Sequence, residues 1–516
     1  MRIVPSPAVV HGPAGSAAVA AGSAGAVGAG IEVLRAGGSA VDAVLACAFA
    51  SVVTEPVLSS LGGGGFLLHA PPGAEPEVLD FFVAVPGLGG TDVEPRVTTV
   101  VVDFAKAGPA ASASEQVFHG GWGTVAVPGC LTGYLDAHRR WGRLPLSAVV
   151  APAARLARDG VDLSPVQRRF VTLVTELLQI TDERRTAVDA LVSTGRSANP
   201  RYADLLAAIA AGELTAPTDP AFADRLLAAS REGGGLITRA DLEAFAAVLR
   251  APLGAECGGV RVWSNPPPSA GGSIVLDALS RLSRPSGGID WPDVASAQAA
   301  ATLAHRAPGQ VATGTTHASV VADDGSVAAL TTSNGSGSGT AVPGWGVALN
   351  NMLGEEDLQP GVPPAPGERM GSMMAPTLLA WPDGSRVALG TGGSERIRSA
   401  LVCVLARLVD AGEDLADAVD APRVHVGSDH QIHVEPGLSA ADLAGLTRLA
   451  ASRGWAPVDP WPTHNVYFGG VHAVRRAADG TVTAVGDPRR GGAAAVLLPD
   501  GTMRLVSSED ETASDG

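Results

Sequence analysis

The chain has 516 residues, enough for one large α/β core or for about three domains of roughly 150 residues each. Hydrophobic residues make up 46% of it and charged residues 17%, which excludes an intrinsically disordered chain; aromatic residues make up only 4%, so Ala, Val and Leu must build the core. With 36 basic and 52 acidic residues the net charge is −16, which disfavours nucleic acid as a partner.

The cysteines and the apolar segments bear on the cellular compartment. No CxxC pair is present, so the spacing favours neither a zinc site nor a disulfide framework, and we interpret all four cysteines as small core residues: Cys47, Cys130, Cys257 and Cys403. No window holds about 18 consecutive strongly apolar residues, which disfavours a membrane span. The Ala/Gly-rich opening has only Arg2 as a basic start and soon meets Glu32 and Arg35, unlike an export signal. We therefore expect a cytoplasmic protein without a membrane partner.

The first elements alternate between alanine-rich and glycine-rich segments. Residues 17–53 have helical spacing broken by Gly37 and Gly38, with Ser39 placed to cap a second helix, so we expect two packed helices. Four consecutive glycines, 62–65, then lead into an apolar run, which predicts a tight loop before a buried strand. A phosphate-binding nest is the alternative, but neither a Lys-Ser/Thr pair nor a helix follows.

The middle of the chain predicts a layer of helices. Spaced leucine pairs run through residues 145–249, and the block Pro-Pro-Pro-Ser-Ala-Gly-Gly at 266–272 then breaks the chain. Another helix is expected from about Ser273 to near Pro285. The segment 307–313 is expected to be an extended, poorly packed loop that ends at Gly314.

A β-hairpin is predicted after this loop. Residues 315–321 and 327–333 alternate as strands on either side of Asp323-Asp324-Gly325. With a two-residue turn at Asp324-Gly325, Thr315 faces Asn334, whereas a one-residue bulge moves its partner to Ser333 or Gly335. Because directly opposed residues have Cβ atoms roughly 4.5–5.5 Å apart, we expect Ser333 and Asn334 beside Thr315.

The surroundings of Thr315 indicate a catalytic role for this residue. A Thr-Thr pair on a strand is usually β-branched packing. Here, however, Thr315 starts a strand directly after Gly314, and hydroxyl and amide side chains face it, which suits an N-terminal nucleophile released by self-cleavage. Gly314 has no Cβ, so its carbonyl can be approached closely.

Seven sequence blocks occur in a fixed order along the chain: EVLRAGGSAVDA (32–43), GGGGFLL (62–68), PPPSAGG (266–272), TTHASVV (315–321), LNNM (349–352), SMMAPT (372–377) and DPRRGG (487–492). Together they resemble the γ-glutamyltransferases, which are N-terminal-nucleophile hydrolases, over nearly the whole chain. The resemblance implies an α+β fold, the four-layer αββα sandwich. It also implies that residues 1–314 and 315–516 are the large and small portions of one domain.

The resemblance implies a mechanism as well. Thr315 Oγ attacks the Gly314 carbonyl, an acyl shift forms an ester, and hydrolysis yields a heterodimer of the two processed subunits. The freed α-amine of Thr315, with a reference pKa of about 7.7–8.0, then serves as the base for its own hydroxyl. Ser333 stands where the family has a Thr that hydrogen-bonds the nucleophile. Gly393 and Ser394 match the turn whose backbone N–H groups hold the oxyanion, a simple turn being the alternative. No metal or other cofactor is implied.

The substrate-binding positions depart from the family pattern. Phe82 stands where an arginine holds the glutamyl α-carboxylate, and an apolar ring cannot replace a bidentate guanidinium. Gly335, Met352 and Met373 also replace hydrogen-bonding residues, whereas Ser372 is kept. Ordinary γ-glutamyl recognition is therefore not expected. Alternatively, Phe82 and its neighbour Phe81 line an apolar pocket.

Several polar residues are further candidates for substrate contacts. Asn334 and Asn351 lie in the matching segments, and Glu355, or Asp357 if a bulge intervenes, matches the group that receives the substrate α-amine. A solvated acidic face is the alternative for the acidic pair. Arg396 and Arg398 are candidates for a substitute positive charge, with a helix-surface or interface role as the alternative.

Other motifs are given structural interpretations. The spacing of His425, His430 and His433 fits no standard pair of zinc ligands, so no metal site is expected. His317 is interpreted as a packing residue, and the paired arginines within 487–492 as a structural turn.

The leading hypothesis is a self-processing hydrolase or acyltransferase that forms an acyl-enzyme on Thr315 with a non-classical amide or γ-glutamyl-like small molecule. Some divergent relatives hydrolyse a C–C bond beside a carbonyl, so the first alternative is a C–C bond hydrolase that acts on a specialised-metabolite intermediate with the same Thr. The second alternative is a non-catalytic scaffold, although a scaffold has no physical need for Thr315, Ser333 and the glycine turn together.

Overall fold

The computed structural model describes residues 6–103, 115–283, 288–305, 314–355 and 364–509. The strands are β1 Ala8–Gly12, β2 Ala17–Ala21, β3 Gly64–Ala70, β4 Glu77–Asp80, β5 Thr98–Asp103, β6 Glu115–Gly120, β7 Val161–Asp162, β8 Arg196–Ser197, β9 Val248–Arg250, β10 Leu253–Cys257, β11 Val260–Ser264, β12 Thr315–Val321, β13 Val327–Ser333, β14 Ala341–Val342, β15 Val347–Ala348, β16 Thr377–Ala380, β17 Arg386–Gly392, β18 Val424–Val426, β19 Ile432–Val434, β20 Asp459–Pro460, β21 Gly470–Arg476, β22 Val482–Gly486, β23 Ala493–Leu497 and β24 Met503–Ser507.

The α-helices are α1 Ala24–Arg35, α2 Ala40–Thr54, α3 Cys130–Trp141, α4 Leu146–Asp159, α5 Pro165–Leu173, α6 Thr175–Leu178, α7 Asp182–Thr194, α8 Pro200–Ala210, α9 Pro220–Gly233, α10 Arg239–Ala244, α11 Ala270–Arg281, α12 Trp291–His305, α13 Arg396–Ala406, α14 Leu415–Asp420 and α15 Ala440–Arg453. Within the described ranges, no helix is both long and apolar enough to cross a bilayer.

Two antiparallel sheets form the centre of the molecule. One has the strand order β1-β22-β21-β17-β16-β11-β10 and the other β24-β23-β2-β12-β13-β3-β4-β9. Strands β12 and β13 pack face to face against β17, while α1 and α2 cover the outer face of the eight-stranded sheet and α11 and α13 cover that of the seven-stranded sheet. This is the predicted α+β, four-layer αββα sandwich.

The apolar residues divide between two cores because side chains alternate across a strand. In β12, Val321 lies in the core between the sheets, whereas Val320 lies in the core beneath α1 and α2. Thr315 has the same parity as Val321, so the first side chain of β12 faces the space between the sheets.

The two-helix prediction for residues 17–53 is confirmed only in part. Helices α1 and α2 are present, and Ser39 forms a capping box with Asp42, as the sequence predicted. Ala17–Ala21, however, is a central strand with all five residues buried. Tertiary context overrides alanine's helix propensity here, because small side chains on both faces let the second sheet and α1 approach closely.

The remaining elements follow the prediction closely. The glycine run leads into β3, which is buried throughout, and residues 146–244 form seven helices interrupted by short segments, including the two-residue strands β7 and β8. Helix α11 begins three residues before Ser273 and ends before Pro285. The segment 307–313 lies outside the described residues. All four cysteines are buried and none of them forms a disulfide, which confirms their interpretation as core residues.

Candidate active site

The hairpin brings Thr315 opposite Ser333, which is the bulged alternative and not the Asn334 register of a two-residue turn. The reason is the turn itself. Ala322 donates its N–H to the Ser326 carbonyl at 2.9 Å, so three residues form the loop. Gly325, the last of them, has φ +83°, the left-handed conformation that closes such a three-residue hairpin loop.

A chain of hydrogen bonds crosses the peptide bond between Gly314 and Thr315. Thr315 Oγ donates to Ser333 Oγ at 3.3 Å, and Ser333 Oγ donates to the Gly314 carbonyl oxygen at 2.5 Å. The N–H of Asn334 donates to the same oxygen at 3.2 Å. The Gly314 carbonyl is therefore held and polarised by two donors beside the threonine hydroxyl.

Gly314 fits this position because it lacks a side chain. A Cβ built on it would lie 1.9 Å from the Gly335 carbonyl oxygen and 2.9 Å from that of Val57. Neither backbone segment can move without a large energetic cost, so any larger residue at position 314 would displace the carbonyl that Thr315 faces.

The glycine turn lies directly against Thr315. A Cβ on Gly392, the last residue of β17, would lie 2.1 Å from the Thr315 carbonyl oxygen. Gly393 has φ +139° and Ser394 has φ +60°, and Ser394 is one of only two non-glycine residues with positive φ among the described residues. Neither of their N–H groups donates to a backbone acceptor in the described part of the chain. Two amides without a backbone acceptor, in a turn that lies against Thr315, are suited to hold an oxyanion.

Phe82 is part of the core between the sheets. It is buried and stacks on Phe66, with ring centroids 5.7 Å apart and an interplanar angle of 19°. Met352 and Met373 belong to the same apolar cluster. The position of the expected arginine is thus filled by packed apolar side chains, which carry no charge for a carboxylate.

Asn351 and Glu355 hold the loop that follows β13. The Ser336 N–H donates to Asn351 Oδ1 at 2.8 Å and to Glu355 Oε1 at 3.2 Å. Asn334 donates its side-chain amide to the Leu349 carbonyl at 3.3 Å, and its buried Oδ1 has no partner among the described residues. The acidic candidate Asp357 lies outside the described residues.

Ser372 is tied into the backbone. Its hydroxyl accepts the Met374 N–H at 3.1 Å, and its carbonyl accepts the Ala270 N–H at 2.8 Å and the Ser269 hydroxyl at 3.0 Å. The block 266–272 and the block 372–377 are therefore adjacent in space.

The two arginines of α13 have different surroundings. Arg396 donates from Nε to the Tyr467 carbonyl at 3.2 Å and lies over the Tyr467 ring, 4.7 Å from its centroid. It stays next to the glycine turn, since its Cβ is 3.7 Å from a Cβ built on Gly393. Arg398 is 1% exposed and donates to Thr302 Oγ1 at 2.9 Å, so the helix-surface alternative is wrong for it.

Sequence reasoning missed two charged residues next to β12. Glu55, which follows α2, accepts the Thr316 hydroxyl at 2.6 Å, and burial raises its pKa. Arg490 donates from Nη1 to the Thr315 carbonyl at 3.3 Å. The structural interpretation of the arginine pair fits Arg489, which binds Glu435 at 2.7 Å, but does not describe Arg490. Arg490 lies within the block 487–492 and Glu55 lies outside all seven blocks, and no local pattern indicated a contact of either residue with β12.

Three of the histidines that the sequence singled out, His317, His425 and His433, contact neighbouring polar side chains. His317 contacts Thr331 Oγ1 and Ser319 Oγ at 2.8 Å each, and burial holds its pKa well below the ordinary value. His425 contacts Ser399 Oγ at 2.7 Å, and His433 pairs with Asp459. The described residues bring no three metal-ligating side chains together.

Comparisons with known proteins give the family of the chain. The sequence profile described as Gamma-glutamyltranspeptidase matches residues 26–293 and 289–497. The chain belongs to this family. It is thus an N-terminal-nucleophile enzyme of the hydrolase and acyltransferase kind.

Individual relatives are distant. The chain is 27% identical over 506 residues to a glutathione hydrolase proenzyme of Escherichia coli (strain K12), covering 82% of the chain and 83% of that protein. It is 28% identical over 456 residues to an acylase ACY 1 proenzyme of Pseudomonas sp. (strain V22), covering 77% and 80%. The fold is similar to that of cephalosporin acylase from Bacillus halodurans, with a TM-score of 0.76, 22% identity and 98% of each chain covered.

Proposed function

We propose that this member of the family processes itself between Gly314 and Thr315 and then uses Thr315 as the nucleophile of a hydrolase or acyltransferase. The observation that supports this most directly is the hydrogen-bond chain from Thr315 Oγ through Ser333 Oγ to the Gly314 carbonyl oxygen. It aligns the attacking oxygen, a donor and the carbonyl of the bond to be cut.

Processing begins with attack of Thr315 Oγ on the Gly314 carbonyl carbon. The carbonyl oxygen becomes negative while Ser333 Oγ and the Asn334 N–H donate to it. The C–N bond then breaks, and the hydroxyl proton passes to the leaving nitrogen, which gives an ester between Gly314 and Thr315. Water hydrolyses the ester and leaves a Gly314 carboxylate and a free Thr315 amine.

Turnover repeats this chemistry on a substrate. The Thr315 amine takes the proton of its own hydroxyl as the oxygen attacks the substrate carbonyl. The N–H groups of Gly393 and Ser394 hold the oxyanion. Departure of the leaving group gives an acyl-enzyme, which either water or an amine acceptor resolves.

The substrate we propose is an amide whose acyl group is not an ordinary γ-glutamyl group. Phe82 stacked on Phe66 supports this, together with Met352 and Met373, because apolar side chains at positions where the family pattern has polar groups offer no partner for a carboxylate. That one relative is named an acylase is consistent with such a substrate.

A denaturing gel and N-terminal sequencing test the processing step. Wild-type protein is expected to give two chains, 1–314 and 315–516, the second starting Thr-Thr-His, whereas Thr315→Ala stays whole. Fully active wild-type protein that remains one chain would contradict the proposal.

A matched pair of anilides tests the substrate. After incubation with a γ-glutamyl anilide or a hexanoyl anilide, mass spectrometry of the small chain is expected to find the hexanoyl adduct on Thr315 in excess. A γ-glutamyl adduct that predominates would contradict the apolar acyl site but leave the nucleophile in place.

A further inference from the structure

Arg490 is a buried cation that forms no ion pair with a carboxylate in the described part of the chain. It is 5% exposed, and the charges of Asp487 and Glu55 favour its cationic form. Its Nε is buried and has no hydrogen-bond partner among the described residues, and its Nη1 donates to the Thr315 carbonyl at 3.3 Å. Burying an unpaired charge is costly, so such a residue calls for a reason other than stability.

The neighbours of Arg490 fix its direction. Its Cβ, Cγ and Cδ pack against Gly470, and its Nη1 lies 2.9 Å from a Cβ built on Gly392, so a side chain at either glycine would block it. The Phe170 ring covers the guanidinium, 5.4 Å from its centroid. The cation is thus confined between the glycine turn and the first residue of β12.

We propose that Arg490 is the positioning residue of the nucleophile: its guanidinium anchors the Thr315 carbonyl and keeps the neighbouring α-amine in its neutral form. This inference rests on the proposed function, which supplies the free amine. The nitrogen of Thr315 lies within about 7 Å of the guanidinium, given the 3.3 Å contact and the length of one residue. A positive charge at that distance disfavours an ammonium there.

The other charged or ionisable groups around Arg490, the start of β12 and the glycine turn are Glu55, His317, Glu355, Arg396, Arg423, His472 and Asp487. Asp487 and Arg423 are paired with each other. Burial lowers the pKa of both histidines and raises that of Glu55, so it favours the neutral form of all three side chains. Glu355 is bound to Ser336, and Arg396 is bound to Tyr467. Although burial lowers the pKa of Arg490 to about 9, Arg490 remains a cation at neutral pH.

The test measures the amine without a substrate. Periodate cleaves the Cα–Cβ bond of an N-terminal threonine whose amine is neutral, releasing acetaldehyde and ammonia and leaving a glyoxylyl group. The rate of this mass change on the small chain is followed from pH 5 to 10. It gives the titration midpoint, the pH at which half of the Thr315 α-amine is protonated. Wild type, Arg490→Lys and Arg490→Gln are compared, with Arg490→Met as a second neutral variant should Arg490→Gln not fold.

Removing the charge is expected to raise the midpoint by about one unit, and Arg490→Lys is expected to keep it close to that of wild type. Arg386→Gln is the control, because Arg386 stands at the opposite end of the strand that carries Gly392 and donates to the Pro71 carbonyl. Its midpoint is expected to match wild type.

Two results overturn the inference. One is a neutral variant that is cleaved and keeps the wild-type midpoint, and the other is loss of self-cleavage in Arg490→Lys, because a cation at this position is then not sufficient. Failure of the proposed function is different: wild-type protein would then have no N-terminal Thr315 by sequencing and would give no glyoxylyl product in any variant.

Discussion

Ser333 is the residue on which both stages of the proposed chemistry converge. A hydroxyl has one proton to donate and two lone pairs, and here the proton goes to Gly314 while the lone pairs accept Thr315 Oγ and the Gly335 N–H at 3.1 Å. Cutting the bond makes Gly314 a chain end whose carboxylate is no longer tethered beside Ser333. The Ser333 proton is then free to turn toward Thr315 Oγ and support the nucleophile.

Ser333→Ala is expected to slow self-cleavage by about 10²–10³, the usual effect of losing one donor to an oxyanion. Ser333→Thr is the matched control, because it keeps the hydroxyl, and it is expected to cleave at a rate within a few-fold of wild type. A time course on denaturing gels measures both. Equal rates for Ser333→Ala and wild type would exclude a role for this hydroxyl.

Phe82 is expected to matter for stability as well as for the shape of the site. Phe82→Ala removes a buried ring from its stack on Phe66 and is expected to lower the free energy of unfolding by about 3–5 kcal/mol. Phe82→Leu, which keeps most of the volume, should lose much less. Denaturant titration measures the difference, and equal losses for the two variants would contradict tight packing here.

At the scale of elements, the hairpin β12–β13 sets the register of the site. Its turn was predicted in place with the register left open between Asn334 and a bulged alternative, because sequence alone does not decide whether Gly325 closes a two-residue or a three-residue loop; the structure has the bulged register. Arg490 shows more clearly that local sequence patterns do not report long-range contacts. Its contact with Thr315 links residues 175 positions apart, which no local pattern reports.

Gly325→Ala is expected to cost about 1–2 kcal/mol, because φ is +83° and the nearest atom to a new Cβ is 3.5 Å away, so conformational strain and not a clash decides the effect. Gly325→Asn should cost less, since asparagine tolerates the left-handed region. Thermal unfolding compares the two variants. A larger loss for Asn than for Ala would argue against strain as the cause.

At the scale of the whole molecule, the layers and the family could be predicted from the order of the seven sequence blocks along the chain. The error lay in Ala17–Ala21, whose composition favours a helix while its position between β12 and β23 requires a strand. The departures at Phe82 and Met373 were visible in the sequence, but that they form one packed cluster follows only from the fold.

Acid is expected to destabilise the folded protein, starting near neutral pH. Burial lowers the pKa of His472 to about 4, so the unfolded chain binds a proton here below about pH 6.5 that the folded chain does not. No contribution exists above pH 6.5, and stability is lost as the pH falls from 6.5 to 4, by about 3 kcal/mol. Melting temperatures across this range are expected to fall less steeply for His472→Gln. An unchanged slope would assign the acid sensitivity to other groups.

The order of strands in the eight-stranded sheet has a consequence for the proposed cleaved form of the protein. Strands β24, β23, β12 and β13 come after residue 314, whereas β2 lies between β23 and β12 and comes before it, with β3, β4 and β9. Strands of the two pieces therefore alternate within one sheet. Dilution alone is not expected to separate the pieces, because separation would break the backbone hydrogen bonds between neighbouring strands of the sheet.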